Sequence, residues 1–109
     1  MVRQKINLEF QYFEDCPNYQ IMMNNLKEAI TGLEDFIDIN FRLIQNKNDA
    51  IKYKFRGSPT LLINNEDIMG MEPPEYPTLS CRFYTNGIPS PEYIREKIVA
   101  MFSDDRDSY

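Results

Sequence analysis

The chain has 109 residues, 42% of them hydrophobic and 27% charged, a composition and length suited to one compact domain spanning 1–109. Its formal net charge is -5, so an average surface of this kind repels phosphate backbones and nucleic acid is not an expected partner. It contains no histidine, which excludes histidine-based hydrolytic triads and histidine-liganded metal sites and leaves catalysis to thiol, carboxylate or phenol. No run approaches the roughly 18 to 20 apolar residues of a membrane span, and the N-terminal stretch lacks a signal-peptide pattern, so neither a membrane nor secretion is expected and the predicted location is the cytoplasm.

In chain order, "KINLEFQYF" alternates Ile6, Leu8, Phe10 and Tyr12 with Asn7, Glu9 and Gln11, the period of a strand with one apolar face. From Cys16 the apolar positions Tyr19, Met22, Met23, Leu26, Ala29, Ile30 and Leu33 recur at helical spacing. Pro17 suits the first helical position, Gly32 lies near the end, and a helix of about four turns follows. "FIDINFRLI" alternates again and predicts a second strand, with Ile37, Ile39, Phe41 and Leu43 opposed by Asp38, Asn40 and Arg42. Asn46 and Asp49 frame the start of a short second helix that runs toward Phe55, with Gly57 as its expected stop. "TLLINNED" predicts a third strand ending in an Asn64-Asn65 turn, and "DIMGM" a fourth that returns beside it. Residues 70 to 91 are crowded with proline and glycine and read as a long loop around a short strand, "SCRFY". Ser90 and Pro91 open a last helix with Ile94, Ile98, Met101 and Phe102 on one face, and residues 103 to 109 form an acidic tail expected to be flexible. The polar faces of the first two strands, Asn7, Glu9, Gln11, Asp38, Asn40 and Arg42, are expected to meet water past the short second helix.

Two motifs stand out against this order. "RGSPTLLINN", residues 56 to 65, resembles the thioredoxin signature in which Gly-x-Pro-Thr opens the third core strand. "FEDCPNY" falls where that superfamily places its Cys-x-x-Cys, at the end of the first strand and the start of the first helix. The resemblance covers roughly residues 5 to 102, and "CPNY", "GSPT" and "SCRFY" together are similar to small prokaryotic thioredoxin-like proteins. It implies an α/β thioredoxin-like fold, β-α-β-α-β-β-α, with a four-stranded mixed sheet flanked by helices. It further implies a cis Ser58-Pro59 bond, a substrate edge formed by Pro17, Tyr19, Ser58, Pro59 and Thr60, and thiol-disulfide chemistry without a cofactor. The departure is Tyr19, which stands where the family's second cysteine would be.

At a helix N-terminus Cys16 is placed to ionise, because unpaired N–H groups and the helix dipole favour a thiolate; the neighbouring Glu14 and Asp15 act against this and offset much of an effect of about 0.3–1 kcal/mol. Met22 and Met23 read as core and rim positions, and the Tyr19 hydroxyl is one turn from Cys16, although packing of its ring is the stronger expectation. An antiparallel fourth strand runs back toward Cys16, so the loop after it re-emerges there and Cys81 becomes a candidate resolving thiol. The competing reading makes Cys81 a buried small hydrophobe, and Arg82 beside it a solvated cation.

The leading expectation is a thiol protein, a candidate thiol-disulfide oxidoreductase or redox sensor, in which Cys16 forms mixed disulfides with protein or small-molecule thiols and Cys81 resolves them. No metal is expected in that reading. One alternative is binding of mercury or copper by Cys16 and Cys81; another is a scaffold without chemistry that binds a partner through residues 70 to 91. The expected state is a monomer or weak dimer.

Overall fold

A computed structural model of the protein describes residues 5 to 107, with side chains to residue 102. Strand β1 (Ile6–Tyr12) leads into helix α1 (Asn18–Ala29), then through a single 3-10 turn (Glu34–Phe36) into β2 (Ile37–Leu43). Helix α2 (Lys47–Lys52), the hairpin β3 (Thr60–Ile63) and β4 (Glu66–Asp67), and helix α3 (Pro91–Asp107) complete the order expected from the sequence. The sheet runs β2-β1-β3-β4, with β1 parallel to β2 and antiparallel to β3, and β3 antiparallel to β4. No described helix is long and apolar enough to cross a membrane.

The two faces of β1 meet different partners. Ile6, Leu8 and Phe10 are buried and join Met22 and Leu26 of α1 and Ile94 and Ile98 of α3 in the main core, so both long helices cover one face of the sheet. These helices are tied end to side: Arg95 of α3 donates to the carbonyls of Ala29 and Thr31 at 2.9 and 2.8 Å, satisfying acceptors that the end of α1 leaves free. The second face carries a smaller cluster of Ile44, Ala50 and Phe55, on which Phe13, Tyr53 and Leu79 pack. Gln11 is a correction to the polar face expected there. It is fully buried, and its amide donates to Glu9 Oε2 at 2.7 Å and to the Tyr53 carbonyl at 3.2 Å, because the chain leaving α2 lies over it.

Local signals explain most element ends. Asn46 caps α2 by accepting from the Asp49 N–H at 2.8 Å, while Asp49 Oδ2 accepts from the Gln45 N–H at 3.1 Å. Ser90 caps α3, its Oγ accepting from the Tyr93 N–H at 3.1 Å. Asn64 and Asn65 both take positive φ (50° and 71°), as a two-residue hairpin turn requires. Other ends differ from expectation. Helix α1 stops at Ala29, before Ile30 and Leu33. Helix α2 ends at Lys52, with Lys54 at φ 54° carrying the reversal rather than Gly57. The fourth strand is only two residues long, because Asp67 Oδ2 accepts from the N–H groups of Met69 and Met71 (2.9 and 3.1 Å) and curls the chain away from β3. Helix α3 continues through residues 103 to 107, where a tail was expected; Ser108 and Tyr109 lie outside the described residues.

Candidate functional site

The parallel pairing of β1 with β2 and the antiparallel return of β3 bring three chain segments to one end of the sheet. The first is the β1–α1 junction. Cys16 lies two residues before α1, its N–H bonded to the Phe13 carbonyl at 3.0 Å and its carbonyl accepting from Tyr19 N–H at 3.3 Å. The second is the entry to β3, where the Ser58-Pro59 peptide is cis. Ser58 is buried and ties these two segments together, its Oγ accepting from the Phe13 N–H at 2.9 Å. The third is the stretch around Cys81.

This third segment is docked as if it were a further strand. The Ser58 N–H donates to the Ser80 carbonyl, and the Arg82 N–H donates to the Ser58 carbonyl, both at 2.8 Å, in a parallel bridge centred on Ser58 and Cys81. The short strand expected at "SCRFY" therefore reduces to one bridge, and it lies along the same edge at which the resemblance placed an extended substrate. Cys16 and Cys81 form a disulfide there, with Cα atoms 5.7 Å apart. The two ends of that bond differ in access: Cys16 is 1% exposed, whereas Cys81 is an exposed residue.

Close packing makes the docking possible. Gly57, at φ +101°, has no side chain, and a Cβ built on it would lie 2.9 Å from Arg82 Cβ and 3.2 Å from the Arg82 Cα and N. Leu79 anchors the near side of the segment in the α2 cluster. On the far side the buried Tyr84 donates its hydroxyl to the Pro59 carbonyl at 2.6 Å. Thr60 Oγ1 donates to the Gly57 carbonyl at 2.6 Å and accepts from Arg82 Nη1 at 3.2 Å.

Arg82 is not the solvated cation that its neighbourhood in the sequence suggests. Its guanidinium makes a bidentate pair with Asp67, Nη1 to Oδ1 at 2.6 Å and Nη2 to Oδ2 at 2.8 Å, with the two side chains 7% and 0% exposed. It also lies 4.5 Å from the centroid of the Tyr84 ring. Burial alone pushes the Asp67 carboxyl up, but the hydrogen bond and charge of Arg82, with the N–H groups of Met71 and Met69, outweigh it and hold the carboxyl below its ordinary 3.8. Burial likewise opposes the charge on Arg82, and the Asp67 hydrogen bond, together with the interactions of Tyr84 and the Asp67 charge, more than restores it. The Tyr84 phenol is pushed up, chiefly by burial.

The remaining expected site residues are placed as follows. Pro17 is exposed beside Cys16, and the Tyr19 ring stacks on Tyr12 at 4.8 Å between centroids instead of reaching the sulfur. Pro59 and Thr60 are buried beneath the Cys81 segment. Among the described residues no three Cys, Asp or Glu side chains are grouped as metal ligands. Asp67 and Tyr84 have no counterpart in the residues singled out from the sequence, and the alternation around Cys81 gives the opposite sign, since Phe83 is exposed while Arg82 and Tyr84 turn inward.

No family model matches the chain, and no curated protein matches it. Among solved structures it is similar to HBP35 of Porphyromonas gingivalis, with a TM-score of 0.62 over 95% of this chain at 15% identity. The fold is thioredoxin-like. At that identity the likeness establishes architecture only, and the chain matches just 34% of the length of that protein. Within the thioredoxin-like fold, the end of β1 and the entry to β3 are the two places where this chain carries its disulfide and its cis-proline segment.

Proposed function

We propose that the protein works by thiol-disulfide exchange, as an oxidoreductase or a redox sensor, with Cys16 and Cys81 cycling between disulfide and dithiol. The observation that carries this reading is a disulfide at the β1–α1 junction whose second sulfur comes from a segment docked on the neighbouring strand entry. Tyr19 leaves the Cys-x-x-Cys position empty of sulfur, and Cys81 fills the role from 65 residues away.

The chemistry follows from access. An incoming thiolate reaches the exposed Cys81 more readily than the buried Cys16, which reverses the roles expected from the sequence. Its attack forms a bond to the Cys81 sulfur as the Cys16–Cys81 bond breaks, and the electron pair leaves on Cys16. The Cys16 sulfur lies two residues before the start of α1, at the end where the helix dipole favours negative charge, which helps it leave. A second thiol then releases Cys81 as a thiol and departs as a mixed or symmetric disulfide; in the oxidising direction Cys16 attacks a mixed disulfide on Cys81 and closes the bond. Partners of this kind are small thiols and cysteine-bearing polypeptides, and the pair needs no cofactor.

The test is to reduce the protein, remove the reductant and add glutathione disulfide. Re-formation of the Cys16–Cys81 bond with release of glutathione is the expected result, together with a stable glutathione adduct on Cys81 in the Cys16→Ser variant. A reduced protein that stays reduced, with no adduct on either single-cysteine variant, overturns the reading.

A further inference from the structure

The contacts around Cys81 divide into one that depends on its oxidation state and several that do not. The disulfide is the first. The rest are the two backbone bonds to Ser58, the Arg82–Asp67 pair, the Arg82 bond to Thr60 and the Tyr84 bond to the Pro59 carbonyl, none of which involves sulfur. We infer that the buried Arg82–Asp67 pair is a positioning device for the redox couple: it keeps the Ser80-Cys81-Arg82 segment seated on Ser58 in the dithiol state, holds the two sulfurs within pairing distance, and so makes the disulfide hard to reduce.

Arg82 directly follows Cys81, so an anchored guanidinium fixes the backbone that carries the sulfur. Asp67 is itself rigidly held, at the end of β4 in the sheet and by the N–H groups of Met69 and Met71. Its carboxylate is fully buried in the docked state, and departure of the segment would break both charge-assisted hydrogen bonds that it accepts from the guanidinium. The carboxylate thus opposes undocking whether or not the sulfurs are joined. Two groups held next to each other behave as though present at high local concentration, and a bond between them is correspondingly favoured. In the balanced reaction two glutathione thiols give up two electrons and two protons to the Cys16–Cys81 bond and leave as one glutathione disulfide. Its equilibrium constant falls as the dithiol holds its sulfurs closer together. The inference rests on the exchange reading above in taking this bond to be broken and remade; it adds which residues set the position of the equilibrium.

The experiment is a glutathione redox titration of the full chain, unmodified and as Arg82→Gln, Asp67→Asn and the double variant. Each single variant is expected to be reduced at least tenfold more readily, about 30 mV for a two-electron couple. The double variant should be no further displaced than either single one, because the pair acts as a unit, and Arg82→Lys should lie between Arg82→Gln and the unmodified protein. The second measurement is amide exchange on unmodified protein reduced with a phosphine, in which the Ser58 and Arg82 amides are expected to remain protected. Folded variants that titrate within twofold of the unmodified protein overturn the inference, and so do Ser58 and Arg82 amides that exchange freely after reduction. If the variants do not fold, the amide measurement alone decides. A disulfide that never equilibrates with glutathione defeats the exchange reading instead, and the phosphine-reduced sample still tests the positioning role.

Discussion

Replacing Gly57 with alanine puts the docking of the Cys81 segment under direct strain. The added methyl would lie 2.9 Å from Arg82 Cβ and 3.2 Å from the Arg82 Cα and N, so it meets backbone and the root of a side chain rather than a flexible tip. Gly57 also sits at φ +101°, where an L-residue costs roughly 1–2 kcal/mol. Relief of the contact requires segment 80–82 to move off Ser58, which loosens the two 2.8 Å backbone bonds at about 1 kcal/mol each. The total is about 3 kcal/mol. In urea unfolding of the oxidised protein this lowers the midpoint by at least about 1 M, for slopes of roughly 1–3 kcal/mol per M. Gly32→Ala is the control: Gly32 has a similar φ of +87° but nothing within 4 Å of an added Cβ, so it carries the conformational cost without the contact. A Gly57→Ala protein no less stable than Gly32→Ala would refute the view that the close approach of Arg82 confines the segment.

Two further outcomes follow from the same contacts. Reduction of the disulfide, or Cys81→Ser, opens a loop with a sequence separation of 65 residues; the chain-entropy relation puts the loss of stability at about 4 kcal/mol, and denaturant curves with and without reductant that differ by less than about 1 kcal/mol would contradict it. The native Asp67 carboxyl is held below its ordinary 3.8, so its contribution is complete above that value and is lost as pH falls through the lower native one. The difference in unfolding free energy between the unmodified protein and Asp67→Asn should therefore shrink on acidification through this range, and a difference that stays constant there counts against a charged Asp67.

What could be read in advance was governed by local physics. Alternation in residues 6 to 12 and 37 to 43, helical spacing after Cys16, and the side-chain caps at Asn46 and Ser90 depend on neighbours within a few positions, and they yielded the element order. Topology then carried Cys81 toward Cys16, since β4 runs antiparallel to β3. The ion pair was not legible, because a charged residue in a short edge strand is by default solvated, and only the packed structure shows that Asp67 has turned inward. Gly57 illustrates the same limit. Its position after α2 suggests a helix stop, but Lys54 makes that reversal, and the reason for glycine is Arg82, 25 residues further on. Gln11 looks like a solvent-facing strand residue until the chain after α2 is laid over it.

Where the second sulfur comes from changes what the redox bond can control. A Cys-x-x-Cys pair closes a loop of about four residues, for which the chain-entropy relation gives about 2 kcal/mol of stabilisation; the Cys16–Cys81 bond closes 65 residues of sequence separation and gives about twice that. By the thermodynamic cycle linking folding and oxidation, the stability that the bond adds to the folded chain equals the preference of the folded chain, over the unfolded one, for the oxidised state. In the exchange reading proposed above, a disulfide that fastens the end of β1 to a segment beyond β4 would couple its oxidation state to overall stability, and a docked Arg82–Asp67 pair would keep the reduced chain ready to re-form the bond. These two effects act in sequence. On this proposal the ion pair would preserve the geometry through reduction, and the long loop would convert each change of oxidation state into a change in resistance to unfolding.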